Sequence, residues 1–309
     1  MATEGRWRRL PGARWVVVFA LGSCLSFAPV RAREEPAGAT PAVRAFETTV
    51  LPGEQALAAR WTLPAGPPRG LALLQHGFTR RCANLAGTMH HWAQAGLAVL
   101  CVEVSGVPGA EWLPGELADA LADDRLDLPT GEPLPRRIVV AGHSAGATFA
   151  ARVGARLAER APERLAGAVL LDPVASPGLT EALDALSAGG ARPVLAALAE
   201  PGPCNAEGSV LSILRSLRLR RLDRGATGFV GVHLGVRATH LDAEGEDTSS
   251  LAVRVCGQGW PQAPRVQALR ALGAHWALEM LGGASDPGAG APARARDAPM
   301  TPTQVRAIE

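Results

Sequence analysis

Arg137-Ile138-Val139-Val140-Ala141-Gly142-His143-Ser144-Ala145-Gly146 is the stretch on which the fold turns. A short β-branched run enters Gly-x-Ser-x-Gly, and an Ala-rich segment of helical length, 145–160, follows at once. A turn this sharp needs glycine on both flanks of the serine, because a Cβ there would strike the neighbouring helix or strand. The serine is left exposed at the head of a helix, where the dipole favours a developing negative charge. By composition alone the motif is common. The strand before it and the helix after it make Ser144 a candidate nucleophile rather than a helix cap.

Outward from this turn, apolar runs alternate with helical stretches. Residues 71–75, 98–102, 137–141, 168–171, 193–197 and 229–232 read as buried strands. Helices are expected over 82–95, 115–124, 145–160, 179–188, 207–221 and 263–281. The alternation predicts an α/β fold with a mostly parallel central sheet flanked by helices. Residues 44–63, with Pro52-Gly53 as turn formers, predict an antiparallel hairpin at one edge. In such sheets chemistry sits at the carboxyl ends of the strands, so the polar residues there are the candidates.

Gln75-His76-Gly77-Phe78 closes the strand at 71–75. A glycine there lets the backbone come close, so the N–H of Phe78 can pair with that of Ala145 as an oxyanion hole. The base is sought among histidines late in the chain. His240, in Ala238-Thr239-His240-Leu241-Asp242, follows the last strand, with His233 as the second choice. The orienting acid must close a strand between serine and histidine, and both Asp172 and Glu200 do so. The histidines and cysteines show no zinc spacing, and the chemistry requires neither metal nor cofactor.

Composition removes other routes. All 31 basic residues are arginine, and the chain has no tyrosine, so Schiff-base lysine, P-loop lysine and tyrosine acid/base chemistry are excluded. With 29 acidic residues in balance, the chain lacks the basic excess of a nucleic-acid binder. Arg6, Arg8, Arg9 and Arg14 precede an apolar run from Trp15 to Ala28, and Val30-Arg31-Ala32 offers small residues for cleavage. Residues 1–32 therefore read as a signal peptide, too short in its apolar run for a stable membrane span. Leu21-Gly22-Ser23-Cys24 resembles a lipobox and gives a second reading, a lipoprotein anchored through Cys24. Either way the chain is expected outside the cytoplasm, secreted or periplasmic. Residues 33–282 then form one catalytic-sized domain, and 283–309, rich in Ala, Pro and Gly, a flexible tail. The leader carries the positive charge, so the remainder moves from +2 to about −2.

Taken together, His76-Gly77-Phe78, Gly142-His143-Ser144-Ala145-Gly146, Leu171-Asp172-Pro173-Val174 and Thr239-His240 resemble the α/β-hydrolase superfamily. More narrowly they are similar to its chlorophyllase-like and polyester-hydrolase-like branch, related to dienelactone hydrolases. The resemblance spans about residues 44–282 and implies an α/β-hydrolase fold. It implies a serine esterase or lipase-like enzyme acting on a small-molecule or lipid-like ester. An amidase or thioesterase with the same triad, or a binding protein that keeps the fold, are the alternatives. In that branch the acid often follows the strand after the nucleophile helix, which favours Asp172. Dienelactone hydrolases carry cysteine where Ser144 stands, and many polyester hydrolases carry methionine where Ala145 stands.

In that fold the strands before Cys204 and Cys256 are parallel neighbours, so their downstream loops meet. A Cys204–Cys256 disulfide is the leading one of three pairings open to four cysteines. Cys101 reads as a buried strand cysteine, and Cys82 is left unassigned. Trp112, after the strand at 98–102, is expected to edge the substrate pocket. The short stretch between 146 and 240 leaves room for little or no cap domain.

Overall fold

The computed structural model describes residues 42–104, 110–235, 237–282 and 305–309; the leader 1–32, with Cys24, lies outside them. The strands are Arg44–Val50 (β1), Leu57–Leu63 (β2), Leu71–Gln75 (β3), Ala98–Val102 (β4), Ile138–His143 (β5), Leu165–Leu171 (β6), Val194–Leu198 (β7), Gly231–His233 (β8) and Arg306–Ala307 (β9). Among the described residues they form one sheet in the order β1-β2-β4-β3-β5-β6-β7-β8-β9. Pairing is parallel from β4 through β8 and antiparallel at both edges, where β1 pairs with β2 and β9 with β8. The expected edge hairpin is therefore present.

Alternation of side chains across the pleat decides where each strand residue goes. Leu71, Leu73, Leu100, Ile138, Val140 and Leu170 enter one core. Ala72, Leu74, Val99, Val139, Ala141 and Val169 enter the other. Leu113–Ala122 (α2), Gly146–Arg160 (α3), Leu179–Leu186 (α4) and Leu211–Asp223 (α5) cover the first face. Ala86–Gln94 (α1) and Ala263–Leu281 (α7) cover the second, and the short helix Ser250–Cys256 (α6) precedes α7 in the chain. Because both faces are covered, β3, β4, β6 and β7 are buried at every position, which is why they read as unbroken apolar runs. Each fully buried leucine contributes about 1.5–3 kcal/mol by leaving water. On the second face Trp92 donates its indole N–H to the Arg270 carbonyl at 3.1 Å. Gly273 of α7 permits this approach, since a Cβ there would stand 2.7 Å from the indole ring.

From Gly146 to His240 the chain is taken up by α3, α4, α5, the strands β6 to β8 and the turn at Pro203–Gly208. Among the described residues no cap is inserted there. One expectation is corrected. The end of the tail is not free of structure: Val232 pairs with Ala307, His233 with Arg306, and Ile308 is buried against the first core. Ile308 supplies the apolar anchor that the Ala/Pro/Gly composition of the segment conceals. Cys101 is buried within β4, as expected, and the unassigned Cys82 is its disulfide partner. The short helix Cys82–Leu85 after β3 lies over the adjacent β4, which brings the two together. The Cys204–Cys256 bond is present as expected.

Candidate active site

The parallel strands deliver their carboxyl ends to one rim. Ser144 leaves β5, Asp172 leaves β6 and Glu200 follows β7. Ser144 has φ +57°, a left-handed conformation that an L side chain adopts only when its surroundings enforce it. The surroundings here are glycines. A Cβ at Gly142 would stand 2.6 Å from the Ala147 nitrogen at the start of α3. One at Gly146 would stand 2.5 Å from the Gln75 carbonyl oxygen. Gly77 lies against the serine itself, where a Cβ would be 2.9 Å from the Ser144 Cβ.

Phe78 and Thr79 occupy a turn closed by the Arg80 N–H donating to the Gly77 carbonyl at 3.2 Å. Among the described residues, the N–H groups of Phe78 and Ala145 make no hydrogen bond within the protein. Ala145 caps α3, so its N–H belongs to the positive end of that helix.

His240 donates from Nδ1 to Asp172 Oδ2 at 2.7 Å, with both residues buried. The remaining carboxylate capacity is used as well: the Ala199 N–H reaches Oδ1 at 2.9 Å and the Asn205 amide reaches Oδ2 at 3.0 Å. Glu200, the other acid considered, has an exposed side chain, and its backbone carbonyl accepts from Asn205 and Gln258. His233 sits half-buried at the end of β8, and burial, followed by Arg306 and Arg215, holds its pKa below the usual value. His240, not His233, meets the Asp172 carboxylate. Trp112 lies in a one-turn helix, Ala110–Trp112, at the head of α2 and is exposed.

Behind the elbow lies a buried polar cluster that the local sequence does not mark. His143 donates from Nε2 to the His240 carbonyl at 2.9 Å, and the two rings lie 4.6 Å apart. That bond assigns the proton to Nε2 and leaves Nδ1 bare, 4.0 Å from the Glu244 carboxylate. Glu244 is in turn gripped by Arg80, whose Nε donates to Oε1 at 2.7 Å and whose Nη2 pairs with Oε2. One chain of contacts therefore links the turn holding Phe78, the elbow and the histidine loop. Partners so far apart in sequence leave no local signal. His76, Cys82 and Cys101 also cluster, but the disulfide leaves no thiolate there for a metal.

Burial, followed by the charge of His240, pushes the His143 pKa down to about 4. The unfolded chain, titrating near 6.5, then takes up a proton that the folded chain refuses. The resulting stability is complete above pH 6.5 and lost as pH falls toward 4, a change of order 3 kcal/mol. Urea unfolding across that window is expected to show this slope, and His143→Gln to flatten it. An unchanged slope in the variant would remove the assignment.

No family model matches this chain, and no curated relative does. Similarity appears among solved structures. A thermostable esterase from Pseudomonas putida is 15% identical, with a TM-score of 0.51, covering 76% of this chain and 82% of its own. A variant of the esterase rPPE is 16% identical, with the same TM-score and coverage. The chain has the α/β-hydrolase fold. At this identity the likeness is one of architecture, and the chemistry rests on the residues described above.

Proposed function

We propose that this chain is a serine hydrolase that cleaves carboxylic esters through an acyl-enzyme on Ser144. The observation that carries the reading is the 2.7 Å bond between His240 and Asp172, with Asp172 closing the strand next to the one that leads into Ser144. Asp172 fixes the imidazole tautomer, so Nε2 is the nitrogen free to take the Ser144 proton. The serine oxygen attacks the carbonyl carbon, and the N–H groups of Phe78 and Ala145 receive the oxyanion. The imidazolium then protonates the leaving alcohol, and water, activated by the same histidine, releases the acid. The expected substrate is a small or lipid-like ester, with Trp112 at the rim of the pocket. Residues 1–32 would direct export, or Cys24 would carry a lipid; two disulfides are compatible with an oxidising compartment.

The test is labelling with a fluorophosphonate, followed by turnover of chromogenic esters of graded acyl length. The native chain is expected to label and Ser144→Ala to lose both labelling and turnover, about 10⁶-fold in kcat. Equal labelling of the variant, or none of the native chain, would overturn the reading and leave a binding protein. Faster turnover of matched anilides or thioesters would move the assignment to amidase or thioesterase.

A further inference from the structure

Asn205 and Gln258 have no role in the mechanism above, yet both are bound to it. We propose that they are positioning residues, a paired amide brace that holds the acid and the base of the triad in register. The proposal rests on the reading of Asp172 and His240 as acid and base.

Asn205 is 1% exposed and uses every hydrogen-bonding position it has. Its Nδ2 donates to Asp172 Oδ2 at 3.0 Å and to the Glu200 carbonyl at 2.8 Å. Its Oδ1 accepts from the Gly202 N–H at 2.8 Å and the Gly208 N–H at 3.2 Å. A flipped amide would set its oxygen against a carboxylate and a carbonyl, so the orientation is fixed. Nδ2 shares Oδ2 with His240 Nδ1 and therefore determines where that oxygen points. The loop bends to allow this: Ala206 and Glu207 have φ of +49° and +55°, a left-handed conformation that residues with a Cβ rarely adopt.

Gln258 does the same for the base. Its Oε1 accepts the His240 N–H at 3.0 Å, and its Nε2 donates to the Glu200 carbonyl at 3.0 Å. Both amides thus anchor on one carbonyl oxygen, and the Cys204–Cys256 disulfide joins the residue before Asn205 to the helix that ends just before Gln258. Asp172 and His240 stand 68 positions apart in the chain, and this brace supplies the local connection between them.

The experiment compares Asn205→Asp, Gln258→Leu and Gln258→Glu in the full chain by kcat, KM and the pH profile of kcat/KM. Asn205→Asp keeps the shape and adds a carboxylate against Oδ2. It should hold the imidazolium and move the acid limb upward by about one pH unit. The other titratable groups facing the pair, His143 from the elbow and His233 from β8, are unchanged in these variants. Gln258→Leu should lower kcat about 10-fold with KM within about twofold, and Gln258→Glu, which keeps the acceptor, should recover most of it. An unmoved acid limb together with an unaltered kcat in Gln258→Leu overturns the brace. Should Asn205→Asp fail to fold, the two Gln258 variants decide alone, because that side chain is only partly buried. If the native chain shows no turnover, the triad reading falls instead. The downfield proton resonance of His240 Nδ1, identified by its loss in Asp172→Asn, still reports the brace by its shift in Asn205→Asp.

Discussion

Asp172→Asn is expected to lower kcat about 10⁴-fold while leaving KM nearly unchanged, because an amide presents the wrong partner to His240 Nδ1 and favours the wrong tautomer. The other contacts of Asp172 constrain the outcome further. Oδ1 accepts a backbone N–H and Oδ2 accepts the Asn205 amide, so a neutral side chain at 172 must set an N–H against one of these donors. Folding is therefore to be checked by a melt, and fluorophosphonate labelling is expected to slow along with turnover, since both need the activated serine. Glu200→Gln is the matched control, since the Glu200 side chain is exposed and only its backbone carbonyl faces the site. Steady-state kinetics of the pair separate the two acids considered from sequence. A collapse in Glu200→Gln with activity retained in Asp172→Asn would transfer the role.

What could be read from the chain followed physical range. Strands β3 and β4 and helix α7 match their sequence boundaries because a two-faced sheet demands unbroken apolar runs and a long helix demands a periodic face. The elbow was legible because its constraint is local: a strand, two glycines and a helix within about ten residues. His240 was legible by order in the chain rather than by any contact. Asn205 was not, because Gly202-Pro203-Cys204-Asn205 reads as an ordinary turn, and its bond to Asp172, 33 positions away, leaves no local signal. The helix Ser250–Cys256 escaped for a similar reason. It is one short segment with Leu251 and Val255 exposed, and its Ser249 cap and Gly257 stop become informative only once the helix is seen. Strand β9 is two residues long, too short for any periodic signal.

The second large effect is expected at Arg80, which sits in the turn that carries Phe78. Glu244 is 1% exposed, and Arg80 binds its carboxylate through two guanidinium nitrogens. Arg80→Met removes the counter-charge and leaves that carboxylate in a low-dielectric setting, which should destabilise the fold by about 3–5 kcal/mol. For a domain of this size the melting temperature should fall by roughly 10 °C. Arg80→Met with Glu244→Leu replaces the pair by apolar contact and should regain most of that stability, since burying two charges is itself unfavourable. Catalysis should not recover in parallel. The guanidinium fork fixes the angle between the turn of Phe78 and the histidine loop, and a methionine–leucine contact has no such directionality. The double variant is therefore expected to melt near the parent yet remain about 10-fold lower in kcat, as for a misplaced oxyanion donor. Urea unfolding of the two single variants and the double variant yields the coupling energy, and ester turnover of the same proteins yields the catalytic part. A double variant that regains both stability and rate would show the pair to be packing alone. One that regains neither would mean that the residues around Glu244 cannot close over an apolar side chain.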